Sequence, residues 1–258
     1  MRDVVLFDMD GTVTPVRQTI KQDMMLALDE LGSFADVGIV SGSNYDYMSA
    51  QLDGLTGVTL LPCNGTKVYT CDGIDYSQEF SVDMKLEMAH NRYRLLIRTL
   101  LALQTELVDS FPALPLTGHF ISDRGSLVNW CPIGREAGPE QRADFVKLDK
   151  LFSIRPKMRD RLLQTLAEVY RINDLSVALG GDTSFDIYPN GWDKTYSLRH
   201  FEGRKVWFMG DKCGETGNDK ALFDFVQEKW ESGFWVTGPE ETLRNVRWLI
   251  GRLSRKKK

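Results

Sequence analysis

The run Val4-Val5-Leu6-Phe7-Asp8-Met9-Asp10-Gly11-Thr12 decides how the rest of the chain reads. Its four apolar residues predict a buried strand, and Gly11 ends that strand sharply. At the tip, Asp8 and Asp10 stand two residues apart, so both carboxylates are expected to project into one crevice. Joint ionisation is unfavourable there unless the pair shares a proton or is neutralised by a metal ion. A hard oxygen site with few protein ligands suits Mg²⁺, which usually keeps waters and a substrate phosphate as well. One carboxylate can then attack phosphorus while its neighbour moves the proton. The alternative is an acidic surface turn after an edge strand, and the remaining sequence arbitrates.

Working outward, a polar loop carrying Arg17 leads into helical spacing over 19–31. A second apolar strand at 37–40 ends in Ser41, Gly42 and Ser43. A helix through Tyr47 and Leu52 follows, then a strand at 58–61 and the stretch Pro62-Cys63-Asn64-Gly65. Alternating strands and helices predict a parallel sheet covered on both faces, with ligands outside the carboxyl ends of its strands. Asp8 and Ser41 fall at such ends.

The pattern then changes. Residues 66–80 read as a hairpin turning at Asp72-Gly73, and a long amphipathic helix is expected over 82–107. Strands at 120–124, 127–131, 175–179 and 184–188, with helices from 139 and over 156–170, predict an antiparallel sheet with helices on one face. Alternation returns with a helix at 192–201, a strand at 205–209 and the turn Gly210-Asp211-Lys212. A helix at 218–230, a strand at 233–236 and a closing helix at 239–253 complete it. The fold class is therefore α/β, a Rossmann-like core (1–81 and 187–258) with an inserted α/β cap (82–186). The terminal Arg255-Lys256-Lys257-Lys258 reads as a solvated tail.

Composition narrows the class. With 26% charged and 42% hydrophobic residues the chain is an ordinary globular protein, and a formal net charge of -4 argues against a nucleic-acid partner. No apolar run is long enough for a membrane span, and the N-terminus enters a strand directly, so a cytoplasmic protein is expected. Cys63, Cys71, Cys131 and Cys213 lack metal-ligand spacing and read as free thiols. His90, His119 and His200 form no motif.

Asp8 is joined by Asp211 at another strand end, with Asp219 shortly after. Lys194, at the start of a helix, supplies a fixed cation. A nucleophile, a metal spreading the developing charge and a lysine holding the transferred oxygens are what phosphoryl transfer needs. Acidic surface turns alone do not require a lysine and a serine-rich loop in this order.

At this point the chain resembles the haloacid dehalogenase superfamily and, within it, the phosphomannomutases of the α type. The resemblance runs through FDMDGT with TPVRQ behind it, Pro62 to Gly65, NWCPIGR at 129–135, GGDTSFDIYPNGWDK at 180–194, MGDKCGETGND at 209–219 and VTGPEET near the end. It implies that Asp8 is the nucleophile, forming an aspartyl phosphate, and that Asp10 is the general acid and base. It implies Mg²⁺ held by Asp8, the Asp10 carbonyl and Asp211. Ser43, Lys194 and Asp219 then support the phosphoryl group, Ser41 adds a hydroxyl beside them as in hydrolytic relatives, and Arg17, Arg124, Arg135, Arg142, Ser184 and Asp186 bind substrate. The implied reaction interconverts mannose 6-phosphate and mannose 1-phosphate, with hexose 1,6-bisphosphate as activator and intermediate. The product would supply GDP-mannose synthesis, and a homodimer through the cap is also implied.

The cap residues fit that expectation chemically. A mutase must grip a second phosphate while the first reacts, and arginine forks suit phosphate oxygens. Ser184 and Asp186 stand two apart on a strand, hence on one face. The chain departs from the family pattern in places. Ser41 replaces a glycine, and hydrolytic relatives place Ser or Thr there, so a sugar-phosphate phosphatase is the alternative. Cys63 replaces an acidic residue, and Ser122-Asp123 replace a Glu-aromatic pair.

Overall fold

β1 (Val4–Asp8) is buried along its whole length and is the middle one of five parallel strands in the larger of two sheets. Its side chains alternate between two apolar layers, as the pleat requires. Val5 and Phe7 enter one cluster with Met24, Leu28, Val246 and Leu249, while Val4 and Leu6 enter another with Phe208, Leu222 and Val226. A strand buried on both faces carries no polar alternation, which is why its sequence is a continuous apolar run.

The chain is seen here as a computed structural model that describes residues 1–73 and 75–256. It divides into two units, 1–81 with 192–258 and 82–191. In the first, β1 is followed by α1 (Gln22–Gly32), β2 (Asp36–Val40), α2 (Tyr45–Gln51), β3 (Thr59–Leu61), β4 (Lys67–Asp72) and β5 (Asp75–Ser81). α1 begins three residues later than its apolar spacing suggests; it buries Met24, Ala27, Leu28 and Leu31.

The second unit comprises α3 (Met84–Met88), α4 (His90–Ser110), β6 (Ile121–Asp123), β7 (Val128–Trp130), α5 (Pro139–Phe152), α6 (Ile154–Tyr170), β8 (Leu175–Gly180) and β9 (Ser184–Pro189). The single helix expected from 82 to 107 is two, because Ala89 adopts a left-handed φ of 64° that no helix interior tolerates. α6 starts before Pro156, which occupies the first turn, where the missing N–H has no intrahelical partner to lose. The four strands form an antiparallel sheet in the order β6-β7-β9-β8. β9 pairs with β8 as far as Pro189 opposite Leu175. The boundary placed at 187 from sequence therefore moves to 192, since a cut at 187 would split a paired strand.

The first unit then resumes with a 3₁₀ helix (Lys194–Phe201), β10 (Val206–Gly210), α7 (Lys220–Trp230), β11 (Gly233–Trp235) and α8 (Pro239–Lys256). The larger sheet has the order β11-β10-β1-β2-β3-β4-β5; it is parallel through β3 and antiparallel where β4 and β5 extend it. The basic tail expected at the C-terminus lies, from Lys257 on, outside the described residues. Among the described residues the four cysteines are free thiols, and no helix is long and apolar enough to cross a membrane.

Candidate functional site

Parallel register brings three strand ends together. Asp8 pairs with Val40 of β2, and Phe7 pairs with Met209 of β10. Ser41 and Asp211 therefore follow directly on the neighbours of Asp8. Just beyond β1 the backbone turns tightly, with the Met9 carbonyl accepting from Val13 N–H at 2.9 Å and Thr14 N–H at 3.0 Å. Gly11 makes that turn at a φ of +87°, and a Cβ built on it would lie 2.5 Å from Asp211 Oδ2. Only glycine lets the loop approach Asp211 so closely.

Lys194 is the fixed cation of the site. It is 1% exposed, and its Nζ donates to Asp8 Oδ1 and to Asp219 Oδ1. Asp219 is fully buried, and its other oxygen accepts from the Lys212 N–H at 2.9 Å. A buried ammonium between two buried carboxylates is what keeps all three ionisable groups tolerable without water. Burial, with Asp219 and Asp211 adding to it, pushes the Asp8 carboxyl up to about 8 against the pull of Lys194. Burial works against the Lys194 ammonium, but Asp219 and Asp8 outweigh it and hold the lysine above its ordinary range. Burial also raises Asp211, which Lys212 opposes.

The sequence reading sends both Asp8 and Asp10 into one crevice; in the structure the two carboxylates take different hydrogen-bond partners. Asp8 turns to Lys194, whereas Asp10 Oδ1 accepts from the Arg17 N–H at 2.8 Å. The reason is the turn after β1, which takes Asp10 out of the strand and reverses the chain toward Arg17. The Arg17 side chain is exposed, with its own backbone at a φ of 60°.

One oxygen each from Asp8, Asp211 and Asp219 lies within 4.8 Å of the others. Asp211 Oδ1 and the nearby Thr12 Oγ1 are buried with no hydrogen-bond partner among the described residues. An orphaned carboxylate oxygen in an acidic cluster is the feature a hard divalent cation would satisfy, so the residues fit Mg²⁺. The Asp10 carboxylate is not one of the three that converge. Ser41 is buried, its Oγ accepts from Ser43 N–H at 3.1 Å, and its carbonyl accepts from Asn64 N–H at 2.8 Å. The loop after β2 is thereby held to the turn after β3.

The second unit gathers its own polar cluster. Asp186 on β9 stands opposite Asn129 on β7, whose Nδ2 donates to Asp186 Oδ1 at 2.7 Å. Arg124, following β6, lies 3.7 Å from the same carboxylate. Ser184 shares the face of Asp186, and its hydroxyl donates to the Gly180 carbonyl at 2.8 Å. Arg142 is drawn inward: its guanidinium donates to the Ala137 carbonyl (2.9 Å), Thr183 Oγ1 (2.7 Å) and the Arg135 carbonyl (2.8 Å). It fastens the loop on which Arg135 rides. Sequence reasoning missed Asn129 and Thr183; the flanking of Asn129 by apolar strand residues gave only a packing signal.

Comparisons with known proteins agree on the family. A sequence model described as eukaryotic phosphomannomutase matches residues 24–251. A phosphomannomutase of Spinacia oleracea is 34% identical over 247 residues, covering 93% of each chain. One from Schizosaccharomyces pombe is 31% identical over 258 residues, covering 95% of this chain and 93% of that one. Among solved structures, the C-terminal domain of a Candida albicans trehalose-6-phosphate phosphatase matches with a TM-score of 0.64 at 16% identity, covering 97% of this chain and 92% of that one. An N-terminally truncated IMP-nucleotidase of Plasmodium falciparum gives a TM-score of 0.66 at 13% identity, covering 95% and 69%. At such identities these two show the fold alone, an α/β one. The extent of the sequence match decides the assignment: this chain belongs to the eukaryotic phosphomannomutase family.

Proposed function

We propose that the chain interconverts mannose 6-phosphate and mannose 1-phosphate through a phosphorylated Asp8. The observation that carries this reading is the buried Asp8 carboxylate at the end of β1, held by Lys194. Hexose 1,6-bisphosphate primes the enzyme by donating one phosphoryl group. The bond from the Asp8 oxygen to phosphorus forms as the bond from phosphorus to the sugar oxygen breaks, and Asp10 gives that oxygen its proton. In the second half-reaction Asp10 takes the proton from the attacking sugar hydroxyl, and the phosphoryl group leaves Asp8 for the other end of the substrate. Lys194 holds the transferred oxygens, and Ser41 and Ser43 offer donors beside them. Asp8, Asp211 and the Asp10 carbonyl would hold Mg²⁺, with Asp219 in support. When bound, the ion supplies charge neutralisation for the transferring phosphoryl group.

Substrate binding falls to Arg17 in the first unit and to Arg124, Arg135, Ser184 and Asp186 in the second, where the arginine forks suit phosphate oxygens. Arg142 supports that binding by fastening the Arg135 loop. The product feeds nucleotide-sugar synthesis of the GDP-mannose kind, in the cytoplasm, by a homodimer joined through the second unit.

A coupled assay for mannose 1-phosphate, run with and without hexose 1,6-bisphosphate while free phosphate is counted, tests the reading. Isomerisation that depends on bisphosphate and outpaces phosphate release supports it. Steady phosphate release with no bisphosphate requirement supports the second reading, a sugar-phosphate phosphatase. Ser41, buried at the end of β2 beside Asp8, favours that alternative.

A further inference from the structure

Asp10 is addressed by a side chain to which the chemistry above assigns no part. Gln51 closes α2, is buried, and lies between Asp10 and Tyr47. A glutamine amide has one acceptor and two donors. Turned with its nitrogen toward Asp10, that nitrogen is 3.2 Å from Asp10 Oδ1 and 2.9 Å from the Gln18 carbonyl, while its oxygen takes the Tyr47 hydroxyl at 2.8 Å. The opposite orientation sets the amide oxygen against a carboxylate and a carbonyl, acceptor against acceptor, and leaves it only the Thr14 hydroxyl at 3.2 Å. Hydrogen-bond chemistry therefore selects the first. The Tyr47 hydroxyl is 3.5 Å from Asp10 Oδ1, and with one proton to give it donates to the nearer Gln51 oxygen.

The clamp is held from both sides. Tyr47 and Gln51 are four apart on α2 and so share a face. Asn44 caps that helix, its Oδ1 accepting from the Tyr47 N–H at 3.3 Å. The Gln51 carbonyl accepts from the Ile20 N–H at 2.8 Å, which ties the end of the helix to the loop that follows Asp10. Together with the Arg17 N–H, two donors from different segments meet on one oxygen of Asp10, Oδ1.

We propose that Gln51, backed by Tyr47, is a positioning residue that gives the two oxygens of Asp10 different work. Oδ1 is held by N–H donors, and Oδ2 carries the proton exchanged with the sugar oxygen. This rests on the reading of Asp10 as general acid and base. As the bond from phosphorus to the sugar oxygen breaks, the proton on Oδ2 passes to that oxygen, and the ionised Asp10 keeps both donors on Oδ1. In the return transfer the attacking hydroxyl gives its proton back to Oδ2. Without Gln51 the carboxyl rotates more freely about its last torsion, which has a broad, two-fold profile, and its acidic oxygen is aligned for less of the time.

The test compares leaving groups in the full chain with Mg²⁺ present. Hexose 1,6-bisphosphate releases a sugar alkoxide that needs a proton; p-nitrophenyl phosphate releases a nitrophenolate that does not. In Gln51→Met, which keeps length and loses the amide, kcat for bisphosphate-dependent isomerisation should fall about 10- to 100-fold with KM moving less than about threefold. The loss with p-nitrophenyl phosphate should be at least about tenfold smaller. Tyr47→Phe should show the same asymmetry more weakly, and it carries the test should Gln51→Met fail to fold. Equal losses with both phosphate donors, or no loss with either, overturn the clamp while leaving the reaction intact. A parent chain that transfers nothing from hexose bisphosphate overturns the reaction and the clamp with it.

Discussion

Replacing Lys194 by methionine removes the ammonium that donates to both Asp8 and Asp219. Methionine fills a similar volume, so the change is chiefly electrostatic. Both carboxylates are almost wholly buried, and breaking a buried ion pair from one side costs about 3–5 kcal/mol because the charge left behind is uncompensated. Against a total stability of roughly 5–15 kcal/mol for a domain, that is a large share. At about 2–4 °C per kcal/mol for a chain of this size, the metal-free variant should melt roughly 6–20 °C below the parent at neutral pH. Two controls separate charge from packing. Lys194→Met combined with Asp219→Asn should regain much of the loss, since it removes the stranded charge. Lowering the pH from above about 8 should also narrow the gap, because Asp8 is then neutral and loses less by lacking the ammonium. Differential scanning calorimetry of the parent and both variants, with chelator present, reads all of this. A melting point within about 2 °C of the parent, or a gap that does not change with pH, refutes the reasoning.

Other outcomes follow from the same geometry. Asp8 is raised from 3.8 to about 8 in the folded chain, so the folded state holds this proton more tightly than the unfolded one. That contribution is fully present below about pH 4 and is lost as the pH climbs to about 8, so the metal-free chain should lose stability across this window. Mg²⁺ binding should release protons at neutral pH, read by calorimetry in buffers of different ionisation heat; no buffer dependence contradicts it. Gly11→Ala places a Cβ 2.5 Å from Asp211 Oδ2 at a φ of +87°, and should weaken Mg²⁺ binding by about tenfold or more. An unchanged titration curve would count against that. Arg142→Ala removes the three bonds that fasten the Arg135 loop, and should raise KM for hexose phosphate more than it lowers kcat. Arg142→Lys should not rescue it, since an ammonium cannot reproduce the fork; full rescue by lysine contradicts the account.

The apolar run before Asp8 and the alternation around it carried the core into view because a strand buried on both faces needs no polar residues. The antiparallel cap was legible for the converse reason, since β6 and β7, and again β8 and β9, follow one another in sequence without an intervening helix. Boundaries were less so: β9 extends to Pro189 because its last residues find partners on β8, and pairing of that kind has no local signature. The break at Ala89 is similarly silent, a left-handed residue where the composition favours continuous helix. In the site, Asp8, Lys194, Asp211 and Asp219 could be named from motif and strand-end position, and strand register brings Asp211 and Ser41 beside Asp8. What could not be read was the direction in which Asp10 turns. That depends on the loop after β1 and on Gln51, which no motif marks. Nor does sequence reveal that Arg142 bonds to its own loop, because three carbonyl or hydroxyl acceptors converge on it only after folding.

In the proposed reaction Asp8 itself carries the travelling group. Incubating the chain with hexose 1,6-bisphosphate and Mg²⁺, quenching in acid and taking the intact mass tests it most directly. The chain should gain the mass of one phosphoryl group that is lost on treatment with hydroxylamine, maps to the peptide containing Asp8, and is absent from Asp8→Asn. A chain that isomerises hexose phosphate with no such adduct, or that carries it on another residue, contradicts the account.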